Sequence, residues 1–302
     1  VMHSTPMIEQ TAGKGAARYA RRKLGLVSGR RRAGWGTYAT LTLVLLISIY
    51  PLYYAIQLAS SDAATIARNP IPPLLPQGNL IENLNRVLNS DINFWRAFTN
   101  SVIVSTVTSV FLVIFSTLAG YAFAKLRFRG RGPLLIFVIA TMAVPMQLGI
   151  VPLFIVMGEL GLTGSLAAVI IPNIVTAFGV FWMTQYLSQA LPYELIEAAR
   201  VDGCSMISTF RHVALPAAMP AAAMLALFTF VAQWTNFFWP FIVLDASNPT
   251  LPVALQLLQS SYFKDYSLIM AGVVISTVPL IIVFIITGRR LVAGVMEGAV
   301  KG

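Results

Sequence analysis

Six stretches of this chain are long and apolar enough to cross a lipid bilayer: Thr37–Leu58, Ala97–Phe123, Pro133–Met157, Leu166–Tyr186, Ala217–Leu244 and Leu268–Thr287. Crossing the hydrocarbon core takes about 20 apolar residues. No water is present there to satisfy a bare N–H or C=O, so each run is expected to close its own hydrogen bonds as a helix. The composition agrees: of 302 residues, 57% are hydrophobic and 11% charged, a balance foreign to soluble domains. The expected fold class is an all-α membrane protein with six transmembrane helices.

Basic residues orient the bundle. Seventeen of the 21 lysines and arginines fall on one side: the tail before residue 37, Lys125 to Arg131, Arg200 and Arg211, and Arg289 to Lys301. The positive-inside rule then places both termini and the 191–216 loop in the cytoplasm of a multi-pass protein of the cell membrane. Three regions follow: a basic cytoplasmic tail, 1–36; a six-helix transmembrane domain, 37–288; and a cytoplasmic C-terminal tail, 289–302. The run after the basic tail exceeds the usual length of a cleaved signal segment. On the other side, residues 80–90 pattern as a short amphipathic helix, and Asn248-Pro249 signals a turn.

The content of the spans narrows the chemistry. None of the six runs holds Asp, Glu, Lys, Arg or His. Ionisable groups at that depth are kept chiefly for proton relays and ion paths, so a proton-coupled carrier or a membrane enzyme is disfavoured. One cysteine excludes an internal disulfide, two histidines far apart in sequence offer no metal spacing, and no P-loop motif occurs. No catalytic and no metal-binding residue is expected, and no nucleic-acid partner. The polar groups within the spans are amides, hydroxyls and aromatics. Gln147, Asn173, Gln233, Trp234 and Asn236 are candidate wall residues of a path for a hydroxyl-rich solute. Interhelical hydrogen bonding is the competing reading for each. Pro145, Pro152, Pro172, Pro240 and Pro279 should kink or break spans.

The most patterned connector is Leu191–Pro220, LPYELIEAARVDGCSMISTFRHVALPAAMP. Leu191 precedes a proline and should be extended, with Pro192 as the first helical residue. Glu194 and Glu197 suit the first turns of a helix, and Asp202-Gly203 reads as its stop, with Gly203 left-handed. Ser205 can cap a second short helix ending at Pro216. Ile196, Ala199, Ile207 and Phe210 are expected on the apolar side of this surface hairpin. An interfacial hairpin with no partner is the competing reading.

Glu197-Ala198-Ala199, Asp202-Gly203, Phe210, Leu215-Pro216 and Pro220 match in order the EAA loop of the membrane subunits of ATP-binding-cassette importers. Cys204 stands where a small residue such as alanine is common. Residues 144–154 and 160–172 look like the third and fourth spans of the carbohydrate permeases of that family. Residues 233–244, QWTNFFWPFIVL, are similar to their WN-x-F-x-x-P-L stretch with Thr235 inserted. The end, 289–302, resembles the tail of the second permease of maltose-type systems.

The resemblance implies a type I ABC importer permease fold with a cytoplasmic EAA coupling loop at 191–216. It implies that Glu197, Ala198, Ala199, Asp202, Gly203, Ile207, Phe210, Leu215 and Pro216 couple the chain to an ATPase. Gly294, Gly298 and Lys301 would carry a tail contact with the ATPase pair. The implied assembly holds a second homologous permease, two ATPase subunits and an extracytoplasmic sugar-binding protein, all within membrane lipid. No cofactor belongs to this chain; Mg-ATP belongs to the ATPase subunits. The implied function is half of the translocation pathway of an ATP-driven carbohydrate importer working by alternating access. The residues alone leave open a permease for another neutral solute and a stand-alone sodium-coupled carrier.

Overall fold

The computed structural model describes residues 34–68, 71, 74–259 and 264–299, with residues 289–299 described by backbone alone. All regular structure among the described residues is helical. Contacts divide the chain into two units, residues 1–51 and 52–302. The boundary falls at Pro51, within the first helix, α1 (Trp35–Ala59). Of the first unit the structure describes residues 34–51, whose apolar side chains are exposed from Trp35 to Tyr50. That is the state expected of a segment facing acyl chains.

The second unit is organised around α4 (Phe94–Lys125), its longest span after two short helices, α2 (Ala63–Arg68) and α3 (Leu80–Leu88). Two helices press on it, α8 (Ala177–Ala190) and α11 (Leu215–Trp234). In lipid no hydrophobic force pulls helices together, so close packing needs small side chains. The buried face of α4 supplies them in Ser101, Ser105, Thr108, Ser116, Thr117 and Gly120. At Gly120 the approach is tight: a Cβ there would lie 2.5 Å from the Met183 Cβ of α8.

Among the described residues five helices are long and apolar enough to span, and a sixth pass arises if α5 (Arg131–Thr141) and the segment Met146–Glu159 are one span bent by 90°. The run Pro133–Met157, uniform in hydropathy, is therefore broken. Val144 precedes Pro145 and is pushed away from helical geometry; Pro145 itself is extended at ψ 127°, and a 3-10 turn, Met146–Gly149, leads into α6 (Ile150–Glu159). The next run is interrupted too. Helix α7 (Leu166–Ile170) passes into a 3-10 turn, Ile171–Asn173, around Pro172, and Thr176 then caps α8 by accepting the Gly179 N–H.

The Ala217–Leu244 run ends as a span at Trp234, and α12 (Phe238–Val243) is a separate short helix. The last helix, α14, runs from Tyr266 to Ala299 and follows α13 (Leu251–Gln259). The expected C-terminal tail is thus a continuation of that helix as far as the structure describes it.

One end of the unit is closed by polar clasps. The amphipathic α3 buries Asn83 and Val87, and the Asn83 Nδ2 donates to the Ala59 and Ser61 carbonyls at 2.9 and 2.8 Å. Arg86 pairs with Asp265, ahead of α14, at 2.8 Å. The expected turn at Asn248 forms, its N–H donating to the Asp245 carbonyl at 3.2 Å. The Asn248 side chain accepts from Asn100 Nδ2 at 2.9 Å and donates to the Gly164 carbonyl at 3.1 Å. Asn100 is therefore a fastener of this end rather than a free polar group.

Candidate functional site

At the opposite end of α4 lies the 191–216 loop, and its local chemistry is visible residue by residue. Leu191 is extended (φ −116°, ψ 99°) and fully buried. Pro192 is the N-cap rather than the first helical residue, so α9 is Tyr193–Val201. Its C-terminus is closed by two reversed bonds: Cys204 N–H to the Ala199 carbonyl at 2.9 Å and Gly203 N–H to the Arg200 carbonyl at 3.0 Å. This Schellman closure needs a left-handed residue at 203, and Gly203 has φ +79°. Ser205 then caps α10 (Met206–Thr209), its Oγ accepting the Ser208 N–H at 3.2 Å.

Pro216 does not end that second helix. A π turn, Phe210–Ala214, carries the chain directly into α11, where Pro216 occupies the first turn. A proline there lacks an N–H and crowds the preceding carbonyl; the wider turn accommodates both, as π turns do.

The resulting lever has two faces. The inner one holds Ile196 (2% exposed) and Ala214 in one cluster with Tyr121, Ala124, Leu187 and Leu191, and Ala199 is buried as well. Phe210 joins it, its ring 5.6 Å from that of Tyr121. The outer face exposes Glu194, Glu197, Ala198 and Asp202 together with Val201 (88%), Met206 (60%) and Ile207 (79%). Ile207 was expected beside Ile196, Ala199 and Phe210; it faces away from them, because the Gly203 turn and the Ser205 cap re-aim α10. Leu215 is half-buried and Pro216 exposed.

Sequence reasoning passed over Val201 and Met206, which form the apolar tip with Ile207. It also passed over the joint at the root of the lever. Lys125, 5% exposed, donates to the Ser188 carbonyl at 3.1 Å and lies 4.7 Å above the Tyr193 ring. The Tyr193 hydroxyl reaches the Ala124 carbonyl at 3.3 Å, and Arg131 donates to the Leu126 and Ala124 carbonyls at 3.3 and 3.2 Å. The partners of Lys125 and Tyr193 are remote in sequence, and no local signal marks them beyond an aromatic residue next to Pro192.

The candidate path residues fall at breaks in the spans. Gln147 sits exposed in the 3-10 turn after Pro145. Asn173 is buried in the turn around Pro172 and donates to the Val169 carbonyl at 2.8 Å. Gln233 and Asn236 flank the end of α11, and the Gln233 Oε1 is buried with no hydrogen-bond partner among the described residues. Trp234 has a packing role here. It is buried, its indole N–H donates to the Ser276 carbonyl at 3.1 Å, and Phe98 and Phe230 each lie 5.8 Å from it. Of the tail residues, Gly294 and Gly298 lie in the backbone-only part of α14, and Lys301 lies outside the described residues, as does most of the 1–36 tail.

Spans without mid-bilayer charge, interrupted at polar positions, and a capped lever rooted in their core define a membrane permease subunit. The chain belongs to the family of binding-protein-dependent transport system inner membrane components, whose model matches residues 113–296. It is 34% identical over 261 residues to an arabinooligosaccharides transport system permease protein of Halalkalibacterium halodurans, covering 86% of this chain and 93% of that one. It is 30% identical to a lactose transport system permease protein of Rhizobium radiobacter, over 87% of this chain and 95% of that one. Its fold is shared, at a TM-score of 0.71 and 24% identity, by a chain of a bacterial ABC transporter involved in alginate import; 94% of this chain and 99% of that one are covered. The chain is thus a multi-pass inner-membrane transport component, not an enzyme, and works with ATPase and substrate-binding components.

Proposed function

We propose that this chain forms one half of the path of an ATP-driven carbohydrate importer, beside a second homologous permease. In this reading two ATPase subunits carry Mg-ATP, and an extracytoplasmic sugar-binding protein delivers the cargo. The lever and both termini face the cytoplasm. The observation that carries the proposal is the two-faced lever. Its inner face is welded to α4, α8 and α11 through Ile196, Phe210 and Ala214. Its outer face offers an apolar tip rimmed by Glu197 and Asp202. Such an element transmits force only if something grips the tip and the root does not slip.

When nucleotide closes the ATPase pair, each lever moves with its ATPase. Ala198, Val201, Met206 and Ile207 fill the cleft, Glu197 makes the polar contact, and Gly203 keeps the tip blunt. Leu215 and Pro216 pass the motion into α11. The bundle then opens outward, and the solute leaves the binding protein for a path lined by neutral hydrogen-bonding groups, Gln147 and Gln233 among them. The helical continuation through Gly294 and Gly298 reaches toward the ATPase interface. A carbohydrate cargo is supported by the absence of ionisable groups at mid-span and by the cargo named for the two relatives above.

Cys204 is the single cysteine of the chain and sits beside the tip. A thiol-tethered photocrosslinker placed there should capture a nucleotide-hydrolysing subunit in intact cells, and uptake of labelled neutral oligosaccharides should require that subunit. Capture of no such protein, with uptake intact, would refute the reading. Uptake of a non-sugar solute instead would keep the coupling role and change the cargo.

A further inference from the structure

The joint at the root of the lever encloses a cavity of about 330 Å³ bordered by Lys125, Arg127, Tyr193, Glu197 and Arg200. Three cations face one carboxylate, and none of the four makes an ion pair among the described residues. Lys125 is the sharpest anomaly. Its ammonium has three N–H donors, yet its contacts are one neutral carbonyl and one aromatic face, and it is 5% exposed. A buried ammonium without an anion is costly. The cavity therefore has the charge and the donors to take one.

We propose that it holds the headgroup phosphate of an anionic phospholipid. Three features select a lipid. The cavity lies at the end of a membrane-spanning helix, and Lys125, Arg127, Arg129 and Arg131 follow one another there with no acidic residue between them. Clusters of that kind beside a span recruit anionic headgroups. Phe128 is 42% exposed within the cluster, and Leu134, Ile136 and Phe137 of α5 expose an apolar flank for the acyl chains. Guanidinium forks such as those of Arg127 and Arg200 match phosphate oxygens. A phosphatidylglycerol-type diester supplies the one anion that these cations lack, and Glu197, at the border of the cavity, remains for the ATPase contact. The inference does not depend on which solute is carried.

The test is native mass spectrometry of the intact importer titrated with phosphatidylglycerol or phosphatidylcholine, comparing wild type, Lys125→Met, Arg127→Gln and Arg129→Gln. Arg129 is the charge-matched control, being outside the cavity. The expected result is preferential retention of phosphatidylglycerol by wild type. Lys125→Met and Arg127→Gln should each weaken it about five-fold more than Arg129→Gln, whose effect measures only the general attraction of one cation at the surface. Arg127 is exposed, so its variant remains informative if Lys125→Met fails to fold. Equal weakening by Arg127→Gln and Arg129→Gln would reduce the effect to general surface attraction and overturn the proposal. Full displacement of the lipid by inorganic phosphate that itself binds would identify a free anion instead. Unchanged lipid retention with loss of the ATPase subunits would show that the cavity takes a protein carboxylate. Lipid retention is read on the purified importer, apart from uptake, which tests the transport role separately.

Discussion

Gly203 shows how much a single residue settles. Its left-handed backbone lets two N–H groups turn back onto Ala199 and Arg200, and a side chain there costs about 1–2 kcal/mol for most residues, less for Asn and Asp. No atom lies within 4 Å of where its Cβ would sit, so the penalty of substitution is backbone strain, plus whatever the added group does to a partner. Gly203→Asp should leave the chain in the membrane at wild-type level and abolish ATP-driven uptake, because it strains the turn and puts charge on the apolar tip. Normal uptake by that variant would remove the tip from the coupling role. The left-handed glycine and the Ser205 cap were both legible in sequence because each acts over three or four residues. The facing of Ile207 was not, since it depends on the angle between two short helices.

Elements answer to contacts as well as to their own sequence. The α4–α8 contact closes at Gly120, where a larger residue must displace Met183. Gly120→Leu should cost about 1–3 kcal/mol by overpacking, read as a lower melting temperature and yield in detergent, and Met183→Ala should not restore it, because the Met183 Cβ and backbone carbon, 2.5 and 2.8 Å from the added Cβ, remain in alanine. Full recovery in the double variant would mean that the long Met183 side chain, not the helix approach, sets the contact.

The end opposite the lever depends on Asp265. Burial pushes its carboxyl up, but the Ser267 hydroxyl, the Arg86 guanidinium and the Leu268 N–H together outweigh burial and hold it below 3.8. A folded pKa below the unfolded one means that the stabilisation is complete above the unfolded value and fades as pH falls through the folded one. Acidification below about pH 4 should therefore loosen α3 from α14, seen as faster amide exchange in 80–88. Asp265→Asn should remove that acid step while keeping part of the cap. An unaltered acid profile would place the step on another carboxylate.

At the scale of the whole molecule, α14 runs past its apolar span, which ends at Gly288, to Ala299. If this extension reaches the ATPase pair, removal of residues 289–302 should lower ATPase activity or its response to the binding protein, with insertion unaffected. Unchanged activity would reduce it to a helix end.

Sequence alone determined which segments enter the bilayer, because about 20 uncharged apolar residues have few other stable environments. It also determined the stop and cap of the lever, which obey short-range hydrogen bonding. It marked prolines as sites of irregularity without saying which would break a helix. Pro145 and Pro172 stand at breaks, whereas Pro279 lies inside a continuous helix. Only the tertiary structure decided the two faces of the lever, the packing role of Trp234 and the junction of Lys125 with Ser188 and Tyr193. In each, the partner groups are far apart along the chain and meet only once α4, α8 and α11 have packed.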